Sequence, residues 1–403
     1  EELKYYAAAI QTDLPCPTNR KGMDRNTRRL LELTDLAVTG YKPFLPVKLI
    51  VYPECSHAAP AYETLSELHK KLAVEIPNRH TEKFCEKARE LGVYIQMGSM
   101  LEADAKYPNA VFNTSCLVGP EGILYKYRKV YTWLPWEVHT SPHDIPDYEE
   151  ALFPVARTPI GNIGAAICYD WLFPEVLRQL ALGGAEILAR VSAYMDPFGA
   201  TEPNDWWTVV NRCRALENLA YVVAANQAAS LKHFPPFSWP GGSMIVDYDG
   251  KIVAQATPGE GEKITVGLVD IDILRHERSK RSAHQMLLHL RPGAHTGLQQ
   301  EGYQGGTFRD QVDQSYADNE RRIDELVPGE EASVFVRVVS TSSRRIRGGR
   351  VMVNINVTDG TGHMELTFFN QAWRERQLGE GKEAVVFGKV GEFRGKRQMA
   401  NPV

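Results

Sequence analysis

Apolar positions in the first three quarters of the chain fall into short runs separated by stretches of helical period. Residues 5–10, 48–52, 94–97, 110–118, 162–167, 185–189 and 220–225 read as strands, each brief, apolar and bounded by Gly, Pro or charge. Residues 24–39, 81–91, 174–182 and 206–218 carry apolar side chains at helical spacing and read as amphipathic helices. Strand and helix in turn predict a layered α/β domain over residues 1–295. Segments 243–247 and 265–269, parted by Asp249-Gly250 and a polar stretch, are expected as late strands at a sheet edge.

The pattern then breaks. Gly, Gln, Asp and Ser crowd residues 296–319, apolar periodicity vanishes, and the segment reads as a linker or extended tail. Beyond it, residues 332–339, 350–357, 363–369 and 384–390 alternate as strands, with a helix-like piece at 372–378 before the last. That order is the one expected of a small all-β OB-fold barrel, which makes residues 320–403 a second domain. A fifth strand would still be forming at Val403, so a truncated barrel is expected. No internal repeat links the two parts.

Composition adds limits rather than a function. A length of 403 residues exceeds what one hydrophobic core usually spans. Hydrophobic content of 43% and charged content of 24% are those of a globular protein. No apolar run approaches the ~20 residues needed to cross a bilayer, so no membrane partner is expected. A formal charge of −4 argues against generic polyanion binding by the whole chain but leaves a local basic patch open. Cys16, Cys55, Cys85, Cys116, Cys168 and Cys213 form no C-x-x-C pair and no metal-ligand spacing. Such thin spread fits a reducing compartment, so a cytoplasmic location without a metal is expected. The chain enters its first strand-like segment directly from Glu1-Glu2, with no signal-peptide pattern, and the missing initial Met leaves a removed leader open. Asn113-Thr114-Ser115 matches a glycosylation sequon, read as chance in the absence of a secretion signal.

Three reactive residues share one local setting, the end of a strand. Glu54 ends Leu49-Ile-Val-Tyr-Pro-Glu54, Lys129 ends Ile123-Leu-Tyr-Lys-Tyr-Arg-Lys129, and Cys168 ends Ile163-Gly-Ala-Ala-Ile-Cys168 shortly before a helix. Strand ends are where loops reach a substrate held by a rigid sheet. A cysteine near a helix N-terminus is expected to gain thiolate character from the helix dipole. Thiolate attacks a carbonyl or nitrile carbon. A carboxylate can carry the proton from sulfur to the leaving nitrogen. An ammonium, with the backbone N–H after the cysteine, can stabilise the oxyanion. Taken singly, each has a plainer reading as packed thiol, capping or surface acid, or solvated cation.

The surrounding residues carry more. Pro-Glu54 after an apolar strand, Arg128-Lys129-Val-Tyr131, and Ile167-Cys168-Tyr-Asp170 with Phe-Pro-Glu175 resemble three signature segments of the nitrilase superfamily of carbon–nitrogen hydrolases. Arg214-Ala-Leu-Glu-Asn218 followed by Ala220-Tyr-Val-Val-Ala-Ala-Asn226 resembles a fourth, and together they span about residues 4–290. Lys129-Val-Tyr-Thr-Trp133-Leu-Pro-Trp-Glu137, with 185–190 and Tyr194-Met-Asp-Pro197, is similar to the aliphatic amidase and formamidase branch. In that branch a second glutamate, eight residues past the lysine, helps position substrate. Tyr169-Asp170 stands where true nitrilases usually carry Trp-Glu, which favours amide over nitrile. Cys55 stands where the branch often has an aromatic residue, which points to a different acyl pocket.

The resemblance implies a four-layer αββα sandwich that self-associates, needs no cofactor and hydrolyses a small carboxylic amide through a thioester on Cys168. It implies Glu54 as general base and acid, Lys129 as oxyanion stabiliser, Glu137 beside them, and Trp133, Tyr169 and Tyr194 against the substrate. Other readings stay open: Trp133 as ordinary core, Glu137 as an exposed loop acid, and Arg190 with Glu217 as a structural ion pair. His57, His139 and His143 are expected in surface or packing roles.

In the second domain, Arg321-Arg-Ile-Asp-Glu-Leu-Val-Pro-Gly329, Asp359-Gly-Thr-Gly362, Phe368-Phe-Asn370 and Gly388-Lys-Val-Gly-Glu-Phe-Arg-Gly395 resemble the OB wedge of RecG-type branched-DNA helicases. The chain has no G-x-x-x-x-G-K-[ST] loop, which excludes ATP-driven unwinding by that motif. Arg344, Arg345, Arg347 and Arg350 crowd the first turn, with Phe368, Phe369 and Trp373 near in sequence, as candidate DNA contacts. A solvated basic hairpin is the plainer reading. Two alternatives to an amidase remain: a nitrile hydrolase using Cys168, and a branched-DNA-binding module whose hydrolase part is a scaffold.

Overall fold

The computed structural model describes residues 2–133, 137–195, 199–228, 239–295, 321–346, 351–369, 371, 373–393 and 395–402. The chain divides into two compact units, Glu1–Leu290 and Arg291–Val403. The linker expected at 296–319 lies outside the described residues.

The first unit runs β1 (Lys4–Gln11), α1 (Met23–Tyr41), β2 (Val47–Val51), α2 (Leu65–Lys71), α3 (Arg79–Leu91), β3 (Tyr94–Gln96), β4 (Met100–Glu102), β5 (Phe112–Gly119) and β6 (Gly122–Arg128). It continues with β7 (Val155–Thr158), β8 (Gly161–Ile167), α4 (Pro174–Leu182), β9 (Ile187–Ser192), α5 (Trp206–Asn218), β10 (Tyr221–Asn226), β11 (Met244–Val246), β12 (Ile252–Gln255), β13 (Lys263–Asp270), α6 (Ile271–Lys280) and α7 (Met286–His289). One sheet has the order β13-β1-β2-β3-β5-β4 with β6 on β5, and the other β12-β11-β10-β9-β8-β7.

Period-two alternation on β1 shows how the layers form. Tyr5, Ala7 and Ala9 join a core with Leu49 and Val51 of β2 and with Ile163, Ala165, Ile187, Ala189 and Val222 of the other sheet. Ala8 and Ile10 point the opposite way, into a second core with Leu30 and Leu33 of α1 and Phe84 of α3. On the far side of the second sheet, Val176, Leu177 and Leu180 of α4 and Ala215 of α5 cover it. Helix, sheet, sheet and helix make the αββα sandwich. A side chain at Gly267 of β13 would stand 2.9 Å from Cβ of Ile245 on β11, so glycine there lets the two sheets approach.

The expectation of late strands at a sheet edge holds for residues 265–269, since β13 is the outer strand of the first sheet, and needs correction for 243–247. Residues 244–246 form β11, which lies one strand inside the edge, because Asp247–Lys251 turns back into a strand, β12, that periodicity did not mark. Residues 263–270 return to the first sheet and pair along the whole of β1 as β13. Two strands adjacent in sequence thus serve different sheets, a choice made by tertiary packing and not by local pattern.

The second unit runs β14 (Glu331–Arg345), β15 (Val351–Thr358), β16 (His363–Phe369), α8 (Arg374–Gln377), β17 (Glu383–Phe393) and β18 (Lys396–Ala400). These strands close a barrel in the order β14-β15-β16-β18-β17. The unfinished barrel expected from the sequence is not what forms: β18 runs parallel to β16 and antiparallel to β17 and completes the ring. Val334, Val353, Ile355, Leu366, Phe368, Val386 and Met399 fill its interior. Phe368 is 1% exposed, so its ring serves the core and is no platform for a base. Phe369 and Trp373 remain exposed, as do Arg344 and Arg345 at the end of β14. Arg347 and Arg350 lie outside the described residues.

Candidate active site

Glu54, Lys129 and Cys168 follow β2, β6 and β8, so three separate strands deliver them to one end of the sandwich. Together with Glu137 they line a single cavity of about 440 Å³. Each is held there by backbone contacts that bridge elements.

The Glu54 N–H donates to the Ser192 carbonyl at the end of β9 (3.3 Å), and the Gln227 side-chain amide donates to the Glu54 carbonyl (2.7 Å), so the residue is pinned to the opposite sheet. The turn after it is tight. Cys55 sits at φ 62°, its N–H donates to Ser99 Oγ (2.9 Å), and the Ser56 hydroxyl donates to the Pro53 carbonyl (2.6 Å). A Cβ at Gly98 would run into that Ser56 hydroxyl and the Pro53 carbonyl, so glycine is required for the turn to pack.

Lys129 is 1% exposed. Its Nζ donates to Glu54 Oε1 at 2.9 Å and to both Glu137 oxygens at 2.8 Å. Burial opposes its charge, but the Glu137 and Glu54 carboxylates outweigh it and hold the pKa well above the usual lysine value. Glu137 is fixed in turn by the Trp133 N–H, 2.7 Å from Oε2. The reading of Glu137 as an exposed loop acid is thereby excluded, since it is 8% exposed. Glu54 accepts two further bonds, from Asn113 Nδ2 (2.9 Å, to Oε1) and from the Ala193 N–H (3.2 Å, to Oε2).

Cys168 has φ 46°, a left-handed conformation costly for any residue with a Cβ. It opens a 3-10 turn, Cys168–Leu172, and α4 starts only at Pro174. Asp170 holds this corner. Its Oδ2 accepts from the Ile167 N–H (3.0 Å) and the Tyr127 hydroxyl (2.7 Å), and its Oδ1 accepts from the Tyr131 N–H (2.8 Å). One buried carboxylate thus ties the cysteine turn to both flanks of Lys129. Burial pushes Asp170 up to about 6, with Lys129 and these donors opposing.

The thiolate expected from a helix dipole is not what this environment favours. Burial pushes the Cys168 thiol up to about 12, the Glu54 carboxylate acts in the same direction, and Lys129 opposes them. A five-residue 3-10 turn separates Cys168 from α4 along the chain, so the cysteine is not itself the first residue of that helix. The thiol therefore keeps its proton near neutrality, and a neighbouring base is needed to remove it.

Trp133, Tyr169 and Tyr194 also line the cavity, alongside Leu172, Trp206 and Trp239. Sequence reasoning missed Asn113, read there as a sequon; it is 1% exposed with its amide on Glu54. It used Asp170 only as a family contrast, and treated Trp206 as the start of a helix. Arg190 and Glu217 do not pair: Arg190 donates to Asn211 (2.8 Å) and lies against Trp207 (4.3 Å), while Glu217 bonds Arg214 (3.1 Å). His57 and His139 are buried and pushed down to about 3 by burial, hence neutral, whereas His143 is exposed. All six cysteines are free thiols. Among the described residues no group of three or more His, Cys, Asp or Glu is arranged to hold a metal ion, and no helix is long and apolar enough to cross a membrane.

Residues 7–278, well over half of the 403, match the family profile for carbon-nitrogen hydrolases, and the chain belongs to that family. Residues 332–402 match a profile described as an OB-fold nucleic acid binding domain. The chain is 28% identical over 264 residues to a formamidase of Helicobacter acinonychis (strain Sheeba), covering 65% of this chain and 72% of the relative. It is 33% identical over 224 residues to a deaminated glutathione amidase of Rattus norvegicus, covering 54% and 64%. Among solved structures it is similar to Saccharomyces cerevisiae Nit3, of branch 10 of the nitrilase superfamily, at TM-score 0.57 and 25% identity, over 70% of this chain and 95% of that one.

The electrostatic account makes one prediction. Replacing Glu54 by Gln removes a charge that raises the thiol pKa and leaves Lys129 to lower it. Alkylation of Cys168 by iodoacetamide, followed across pH by the mass of the Cys168 peptide, should then rise at a lower pH than in the wild type. A rise at the same or a higher pH contradicts the proposed coupling.

Proposed function

We propose that this protein hydrolyses a carboxylic amide to the acid and ammonia, or an amine, through a thioester on Cys168. The observation that carries the reading is the shared cavity, in which the thiol of Cys168 lies with the carboxylate of Glu54 and the ammonium of Lys129. Glu54 takes the sulfur proton as sulfur attacks the carbonyl carbon. Lys129, with the Tyr169 N–H, meets the charge that develops on oxygen. Glu54 returns the proton to nitrogen as the carbon–nitrogen bond breaks. Water then attacks the thioester, Glu54 accepts its proton, and the sulfur leaves and is reprotonated. Glu137 and Asn113 act as positioning residues, holding Lys129 and Glu54 by the bonds described above.

Ammonia release from an amide panel, with matched nitriles as a second arm, tests this. Cys168→Ala should abolish release and the acyl adduct seen by intact mass, and Lys129→Ala should lower kcat about 100- to 1,000-fold. Ammonia release that persists in Cys168→Ala overturns the assignment, and faster turnover of nitriles transfers it to nitrile hydrolysis.

Self-association through α5 belongs to the same proposal. Val209, Cys213 and Leu216 recur at helical spacing and are all exposed, Val209 at 57% and Leu216 at 44%. Light scattering should give a mass above that of one chain, and Val209→Glu with Leu216→Glu should reduce it to one chain. A monomeric wild type contradicts this.

For the second unit, one feature favours a nucleic-acid contact as a separate reading. Strand register sets Arg344, Met352 and Phe369 side by side across β14, β15 and β16, a cation and an exposed ring on one face. Single-stranded or forked DNA should bind with strong salt dependence, and Phe369→Ala should weaken it about tenfold, measured by fluorescence anisotropy. No binding at low salt ends that reading.

A further inference from the structure

The cavity around Cys168 is larger than cleavage of a small amide requires. At about 440 Å³ it lies within the ~300–1,000 Å³ range of pockets that enclose drug-sized ligands. An amide of three or four non-hydrogen atoms would leave most of that space as water against apolar walls.

The walls say what should fill it. Trp133, Trp206 and Trp239 line the cavity, as do Tyr169, Leu172 and Met195. The lining also carries small side chains, Cys55, Ala59 and Ala193, of which Ala193 sits beside Glu54 with its N–H on the carboxylate. Burial pushes the Cys55 thiol well above its usual pKa, so it adds no charge.

Among the described residues the charged side chains lining the cavity are Glu54, Lys129 and Glu137, and Lys129 already bonds both acids. Two carboxylates and one ammonium line the cavity, and the buried Arg190 behind them balances the local charge without presenting a cation on the lining. A second carboxylate on the substrate would lose its water without gaining a cation. Arg190 lies behind the wall, 5.5 Å from the Tyr194 ring and 4.3 Å from Trp207, and does not line the cavity.

We infer that the substrate of this site is an uncharged amide carrying a bulky apolar or aromatic group. The inference rests on the amide-hydrolase reading and adds the class of substrate. Formamide-sized and anionic amides are poor substrates on this account. The group lies on the acyl or the amine side of the bond, and the two have the same chemistry against the tryptophans.

The 403-residue chain is assayed for kcat/KM on formamide, acetamide, butanamide, hexanamide and 3-phenylpropanamide, and on acetamides bearing N-butyl or N-benzyl groups. Succinamate is compared with 4-methylpentanamide, its uncharged isostere. From acetamide to hexanamide kcat/KM should rise about fourfold per methylene, the rate equivalent of ~0.8 kcal/mol of burial. The isostere should exceed succinamate by at least about 50-fold. A rise confined to the N-substituted arm supports the inference and puts the bulky group on the amine. Trp206→Ala, at a residue 46% exposed, should cost 3-phenylpropanamide about tenfold more than acetamide. Formamide as the best substrate, or succinamate equal to its isostere, overturns the inference and leaves the amidase reading standing. If no amide is turned over, that reading fails, and tryptophan fluorescence of Cys168→Ala still decides the ligand class. Tighter binding of 3-phenylpropanamide than of acetamide by tenfold supports it, and equal binding overturns it.

Discussion

An ammonium group taken out of water costs ~several kcal/mol unless opposite charge and hydrogen bonds replace the solvent. Lys129 is 1% exposed, and its replacement solvent is two carboxylates, each within 2.9 Å. Neither carboxylate is optional, since losing one leaves a buried cation half-compensated. The trio ties the loop after β2 to the loop after β6, and fixes where each side chain points. Its charge also acts outward. Burial chiefly, with the Glu54 charge adding to it and Lys129 opposing, holds the Cys168 proton on sulfur, so proton transfer rather than a standing thiolate defines how the proposed reaction begins.

Around that trio the supporting bonds come from both sheets. Glu54 belongs to the first, yet its N–H, its carbonyl and one carboxylate oxygen are engaged by Ser192, Gln227 and Ala193 from the second. Asp170 works the other way, from the second sheet to Tyr127 and Tyr131 of the first. The site is therefore a clasp between the two sheets. Rigid elements of this kind hold reacting groups within the small tolerances that catalysis needs.

Much of this was legible in residue order, and the reason differs from part to part. The strand at 162–167 follows from an unbroken apolar run, 163–167, buried on both faces, and helices such as 174–182 and 206–218 follow from period, because each buries one consistent face. Glu54, Lys129 and Cys168 stood out because reactive residues at strand ends are uncommon and their flanks resembled a known family. Asn113 was not legible: on β5 its side chain is one of an alternating set, and only the fold turns it toward Glu54. The thiol's protonation was misjudged because the dipole is a local feature, whereas burial and the Glu54 charge are assembled from distant segments. The partition of β11 and β13 between sheets and the closing strand of the barrel are likewise long-range outcomes that local spacing does not encode.

The amide nitrogen of Asn113 has a consequence for how the protein can be made. In a host that attaches sugars during secretion, Asn113-Thr114-Ser115 is a substrate for the transferase while the chain is still extended. The atom that would carry the glycan is the Nδ2 that donates to Glu54 inside a closed core. A glycosylated nascent chain could neither pack β5 nor complete the clasp, so production by that route calls for Ser115 to be replaced by a residue the transferase ignores, such as Ala.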